Sequence, residues 1–151
     1  MKKQILVGFM LMVAMVAQAQ DRFPKNQLSI NAFRNPSIGL EYHRKQVSIH
    51  GGYYLTNFES NVTTKFVKAG LNYWFLPFGR QAIPSSFYAG ASYLRGLSRA
   101  YKDQNAVAFE AGARLVVWKG LHFRLGVIAL ASKEQSLKIN PTPSIGYSLK
   151  F

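Results

Sequence analysis

The sequence predicts an all-β protein, an eight-stranded antiparallel up-and-down barrel, on three observations. Eight segments alternate apolar and polar residues with period two, the pattern of a strand with two different faces. No long amphipathic helical pattern occurs after residue 21. An even strand count brings both chain ends to one side of a closed ring, and the links between segments alternate in length as a meander requires.

The segments follow in order. Leu28, Ile30 and Ala32 make the apolar face of the first, and Ile38, Leu40 and Tyr42 that of the second. The third runs through Val47, Ile49, Gly51, Tyr53 and Leu55, and the fourth through Val67, Ala69, Leu71, Tyr73 and Phe75. The fifth carries Phe87, Ala89, Ala91 and Tyr93. The sixth carries Val107, Phe109, Ala111, Ala113, Leu115 and Val117. The seventh has Leu121, Phe123, Leu125, Val127 and Ala129, and the eighth Ile145, Tyr147, Leu149 and Phe151. On one rim, Arg44-Lys45 reads as a two-residue hairpin turn and Trp118-Lys119-Gly120 as a three-residue turn. The third link there, 76–85, is longer and contains Pro77, Gly79 and Pro84. On the other rim the link around Arg34-Asn35-Pro36 is short, whereas 56–64, 95–105 and 132–142 read as longer polar loops.

The first 21 residues stand apart. Lys2 and Lys3 precede an apolar run from Ile5 to Ala17, and Ala17-Gln18-Ala19 supplies a small-x-small cleavage pattern. Residues 1–19 are therefore expected to be a signal peptide and 20–151 the mature domain. The apolar run of about 13 residues falls short of the ~20 that a spanning helix needs. With no cysteine, thiolate metal sites, disulfides and Cys nucleophiles are excluded. The formal charge of +13 falls to +11 when Lys2 and Lys3 leave. An exported basic protein points to lipid phosphates rather than to nucleic acid.

Alternation alone does not say which face is wet. Three features favour a transmembrane barrel with its polar face inside. Mid-strand glycines Gly39, Gly52, Gly70, Gly90, Gly112, Gly126 and Gly146 lie on the mixed face, where a narrow eight-stranded lumen needs small residues. The same face carries both signs of charge, Glu41 and Glu110 against Lys68, Arg114, Arg124 and Lys150, a set able to pair inside the ring. The apolar faces are rich in aromatic residues near the strand ends, as at a membrane interface. Segments 65–75, 106–117 and 121–130 are about 10 residues long, enough for a tilted membrane strand. The competing arrangement is a soluble, lipocalin-like periplasmic binder with the apolar face inside.

With these features the mature chain resembles the small eight-stranded outer-membrane proteins, the OmpA-like and OmpX-like barrels. The sharpest local element is Gly146-Tyr147-Ser148-Leu149-Lys150-Phe151, which resembles the C-terminal assembly signal of that class. The resemblance implies that Tyr147, Leu149 and Phe151 are read by the outer-membrane assembly machinery and that the protein resides in the outer membrane. Likeness to full-length OmpA is expected to stop at the barrel, with no peptidoglycan-binding domain after it.

Some barrels of this size modify lipid A as acyl hydrolases or transferases, chemistry that needs Ser and His within reach of an orienting carboxylate. A turn at Arg44-Lys45 sets Glu41 opposite Ser48 and Gly39 opposite His50, and so makes a Glu41, Ser48, His50 cluster conceivable. All three point to the lumen, whereas a lipid ester arrives from outside. Glu41, His43 and His50 form a weak metal-binding pattern, because Glu41 and His43 are only two residues apart on one strand. The expectation is a non-enzymatic, monomeric barrel without cofactor or metal, its lumen plugged by side chains. Arg95, Arg99, Lys102, Lys133 and Lys138 are the candidate loop contacts to lipopolysaccharide or a partner.

Overall fold

The computed structural model of the chain describes residues 22–59, 62–133 and 135–151. The expected signal peptide, 1–19, and the expected first mature residue, Gln20, lie outside the described residues. Nine strands occur in chain order. They are β1 (Gln27–Phe33), β2 (Ile38–Arg44), β3 (Val47–Glu59), β4 (Val62–Phe78), β5 (Ser85–Gly96), β6 (Asn105–Trp118), β7 (Leu121–Ser132), β8 (Gln135–Pro141) and β9 (Ser144–Lys150). Each of β1 to β7 pairs antiparallel with the next or previous strand. Both β8 and β9 pair with β7, and β9 pairs with β1 along Gln27–Phe33, which closes the ring. Strands β8 and β9 are thus two halves of one staff, parted at Thr142-Pro143, where proline supplies no N–H to the ladder. The architecture is an all-β, closed, eight-staved antiparallel barrel. Among the described residues there is no α-helix, and a 3₁₀ turn occupies Arg99–Tyr101.

Alternation sets the wall. Leu71, Leu115 and Leu125 point outward and are 56%, 49% and 66% exposed, while Glu110 and Arg114 point inward and are 4% and 1% exposed. Every stave repeats this polarity, with apolar side chains out and the mixed face in. The inward glycines let the staves close. A Cβ on Gly90 would strike the Asn72 amide, and one on Gly146 would sit on His122 Nε2 and Asn31 Oδ1.

Three expectations need correction. The segments 56–64 and 132–142 are not long polar loops. Strand β3 continues to Glu59, β4 starts at Val62, and β8 occupies Gln135–Pro141, so these hairpins extend the wall itself. Backbone pairing across neighbouring strands outweighs the polar composition that suggested loops. The β2–β3 turn is Lys45-Gln46, with Arg44 opposite Val47 and Lys45 at φ 54°. Glu41 therefore faces His50 and His43 faces Ser48, two residues away from the register expected from an Arg44-Lys45 turn. Finally, the lumen is not polar throughout. At the rim away from the chain termini it is filled by Tyr54, Phe66, Leu94, Tyr101, Ile128 and Leu130. Tyr101 enters from the 3₁₀ turn and meets Phe66 edge-on at 5.3 Å between centroids.

The opposite end, where β1 starts and β9 ends, is closed by a second cluster. Phe23 tucks in beneath Trp74 and Tyr88. The Arg22 guanidinium donates to Pro77 O at 3.0 Å and to Gly79 O, tying the segment before β1 across the β4–β5 link.

Candidate functional site

Between the two apolar plugs lies a polar layer built from six staves. Glu41 on β2 accepts from Arg124 Nη1 of β7 at 2.7 Å, from Ser48 Oγ at 2.6 Å and from Asn72 Nδ2 at 2.9 Å. Glu110 on β6 accepts from Lys68 Nζ of β4 at 2.7 Å through Oε1 and 2.8 Å through Oε2. Ser92 Oγ donates to Glu110 at 2.9 Å. Asn35 reaches in from the β1–β2 turn, donating to Glu110 at 3.0 Å and accepting from Lys68 at 2.9 Å. A buried ion pair is costly to desolvate and holds only when the remaining lone pairs and protons are also bonded. Both carboxylates here meet that condition.

The six residues read from the sequence as a lumen charge set are placed as follows. Glu41 with Arg124 and Lys68 with Glu110 form the two pairs just described. Arg114 is in the lumen but makes no ion pair among the described residues; its guanidinium lies 4.3 Å over the Trp74 ring and donates to Pro84 O. Lys150 does not join. It has the inward parity but sits in the last turn of wall before Phe151, exposed at the rim. Asn35, Asn72 and Trp74 complete the layer and were not singled out from the sequence. Asn35 lies in a turn, where period-two reasoning has no reach, whereas Trp74 was visible as a large residue on the mixed face.

Two of the three histidines divide between the pairs, while His122 contacts Asn31 Oδ1 and Gly120 O. His50 Nε2 lies 3.1 Å from Ser92 Oγ and 3.4 Å from Glu110 Oε1, and its Nδ1 is 3.2 Å from Asn72 Nδ2. His43 Nε2 lies 3.2 Å from Ser29 Oγ and 3.7 Å from Glu41. The Glu41, Ser48, His50 cluster is therefore split: Ser48 goes to Glu41, and His50 goes to Ser92 and Glu110. Among the described residues no three His, Asp or Glu side chains are arranged to hold a metal ion. The cavity bordered by Glu41, His50, Lys68, Asn72, Glu110 and Arg124 holds about 10 Å³, space for a single water.

Larger hollows lie on the outside. One of about 520 Å³ has a floor of Val47, Ile49 and Leu71, flanking rings Tyr42 and Tyr73, and Arg44 and Lys45 at its rim end. Around that rim stand Arg22, Lys25, Arg44, Lys45, Arg80, Lys119 and Lys150, with no Asp or Glu side chain among the described residues there. On the far rim, Arg99 and Lys102 occupy the 3₁₀ turn and its end, and Lys133 follows β7. Arg95 lies in β5 rather than in a loop and is occupied by Asp103 at 3.2 Å and Asn105 at 2.8 Å. Lys138 lies in β8 opposite Leu130, half-buried on the inward side of the mouth. Tyr147 and Leu149 point outward from β9, and Phe151 follows that strand, exposed, its N–H donating to Asn26 O at 3.2 Å. The chain matches no protein-family model, no curated protein and no solved structure.

Proposed function

We propose that the protein is an outer-membrane barrel with a sealed lumen, serving as a structural and interaction scaffold at the cell surface. The polarity of the wall carries the reading: apolar side chains outside on every stave, paired charges inside. Soluble monomers rarely expose contiguous apolar patches beyond a few hundred Å². Lipid around the wall removes that exposure, and a closed ring leaves no unpaired edge to the hydrocarbon. A lipocalin-like binder needs the reverse polarity. The outer groove under Arg44 and Lys45 suits an acyl chain beneath a phosphate.

In this orientation the termini face the periplasm and the far rim faces outward. Arg99, Lys102, Lys133 and Lys138 then supply contacts to lipopolysaccharide phosphates, with Arg95 holding the 3₁₀ turn in place through Asp103. Tyr147, Leu149 and Phe151 serve as the signal for the assembly machinery. A non-enzymatic role is favoured because His50, the histidine beside the Lys68–Glu110 pair, borders only a water-sized space.

Cell fractionation tests the reading. The protein is expected in the outer-membrane fraction, resistant to carbonate extraction, with folded and heated forms migrating differently on gels. Recovery in the soluble periplasm overturns it. Mass spectrometry of lipid A from cells with and without the gene tests the enzymatic alternative; altered acylation would reinstate it.

A further inference from the structure

Among the described residues the fully buried ionisable groups do not balance. Lys68, Arg114 and Arg124 face Glu41 and Glu110, so with the histidines counted neutral three positive charges meet two negative ones. The two carboxylates are taken by Lys68 and Arg124. Arg114 is the remainder, 1% exposed. A buried charge is ordinarily paired. Trp74 offers its ring face to Arg114 at 4.3 Å, and Pro84 O accepts one N–H, but neither brings negative charge.

The donors around Arg114 are also unfinished. Arg114 Nε and Nη1, Arg124 Nε, Ser86 Oγ and Ser144 Oγ are buried and have no hydrogen-bond partner among the described residues. They lie on one level of the barrel. Ser86 pairs in register with Arg114, Arg114 with Arg124, and Arg124 with Ser144, across four neighbouring staves. Like charges directly opposite on paired strands repel. Two guanidinium groups on adjacent staves, flanked by two hydroxyls, are the chemistry that recognises an anion. Buried polar groups left without a protein partner call for a water or an ion. Water would satisfy the donors and leave the charge; one negative charge does both.

We infer that the lumen holds a small monovalent anion of halide type at Arg114, bounded by Arg124, Ser86, Ser144 and the Trp74 ring. The cationic rim beside it, with Arg22, Lys25, Arg44, Lys45, Arg80, Lys119 and Lys150, raises the local concentration of anions at the nearest entrance. The site does not depend on where the barrel resides, since it rests on the interior alone.

Trp74 is the built-in reporter. The chain has two tryptophans, and a Trp118→Phe variant leaves Trp74 alone. In the refolded full barrel, iodide is expected to quench Trp74 fluorescence along a saturating curve, and chloride at constant ionic strength is expected to displace it. Arg114→Gln in that background should weaken the saturable quenching by at least tenfold. Crystals soaked in bromide should give an anomalous peak in hydrogen-bond range of the Arg114 guanidinium. Linear quenching that chloride does not displace, or soaked crystals without that peak, overturns the inference. Both wild-type-side measurements stand if Arg114→Gln fails to fold.

Discussion

Lys68 and Glu110 show how much a single buried group depends on its neighbours. Glu110 accepts from Lys68, Ser92 and Asn35 at once, so removing it strands an ammonium and two further donors. Breaking one side of such a pair costs about 3–5 kcal/mol, whereas replacing both sides with apolar groups is often near neutral. Glu110→Ala is therefore expected to lower the unfolding free energy in detergent micelles by about that amount. A Lys68→Met, Glu110→Met double variant should recover most of the loss, with Ser92 and Asn35 keeping the remainder because their acceptor is gone. Urea titration of the three proteins checks both. If the double variant is as weak as Glu110→Ala, the pair is not the main cause. At Gly146 the limit is space: a Cβ would meet His122 Nε2 and Asn31 Oδ1 at 2.5 Å each. Gly146→Val should cost about 1–3 kcal/mol, the usual range for overpacking, measured in the same titration.

Among the elements, the 3₁₀ turn Arg99–Tyr101 does the most for its size. It is held by Gly96 N–H donating to Gln104 O at 2.9 Å and by Asp103 N–H donating to Gly96 O at 3.0 Å. This geometry drives Tyr101 down into the mouth against Phe66, with Leu94 and Leu130 alongside. Truncating a buried aromatic costs about 3–5 kcal/mol. Tyr101→Ala is expected to fall near the lower end, because the site opens towards a rim that can admit water. The same variant should speed proteolysis of the β5–β6 link, read as a cleavage band between strands that remain paired. β9 is the counterpart at the other end, since its ladder with β1 closes the ring. Phe151 lies beyond that ladder and is 73% exposed. Phe151→Ala should therefore leave the stability of the refolded barrel within ~0.5 kcal/mol. It should instead reduce the amount assembled in the cell several-fold, seen as loss of the folded gel band. An equal loss of stability in vitro would mean that Phe151 acts by packing and not as a recognition signal.

For the molecule as a whole, the decisive property is the direction in which greasy side chains point. Leu125 lies mid-stave on the outer wall, opposite Ala113. If lipid surrounds the wall, Leu125→Arg should cost about 2–4 kcal/mol when folding into bilayers is measured. Around a water-exposed wall the same change would be neutral or helpful to solubility. The outcome separates the two environments independently of where the cell sends the protein. The interior fits the same picture: apolar clusters at both ends flank a polar layer, and the cavity between its two ion pairs is water-sized.

Strand number, wall polarity and the inward glycines were all legible in the chain, because a period of two is a local property that survives without knowing any neighbour. Leu71 and Glu110 were assigned to opposite faces on that ground alone. Pairing partners were not. Whether Lys68 meets Glu110, whether Arg114 is left without a carboxylate, and whether Asn35 enters the lumen from its turn depend on stagger between staves far apart in sequence. One turn residue, Lys45 in place of Arg44 as the first of the hairpin loop, moved His50 from opposite Gly39 to opposite Glu41, and the turn of its imidazole towards Ser92 and Glu110 split the Ser–His–Glu cluster. The ends of the staves were equally beyond local reading. Polar composition marked 132–142 as loop, yet β7 offered a ladder that made most of it strand. Periodicity thus settled which way each side chain points, and ring closure settled what it meets there, since contacts across a barrel are fixed by register and not by sequence distance.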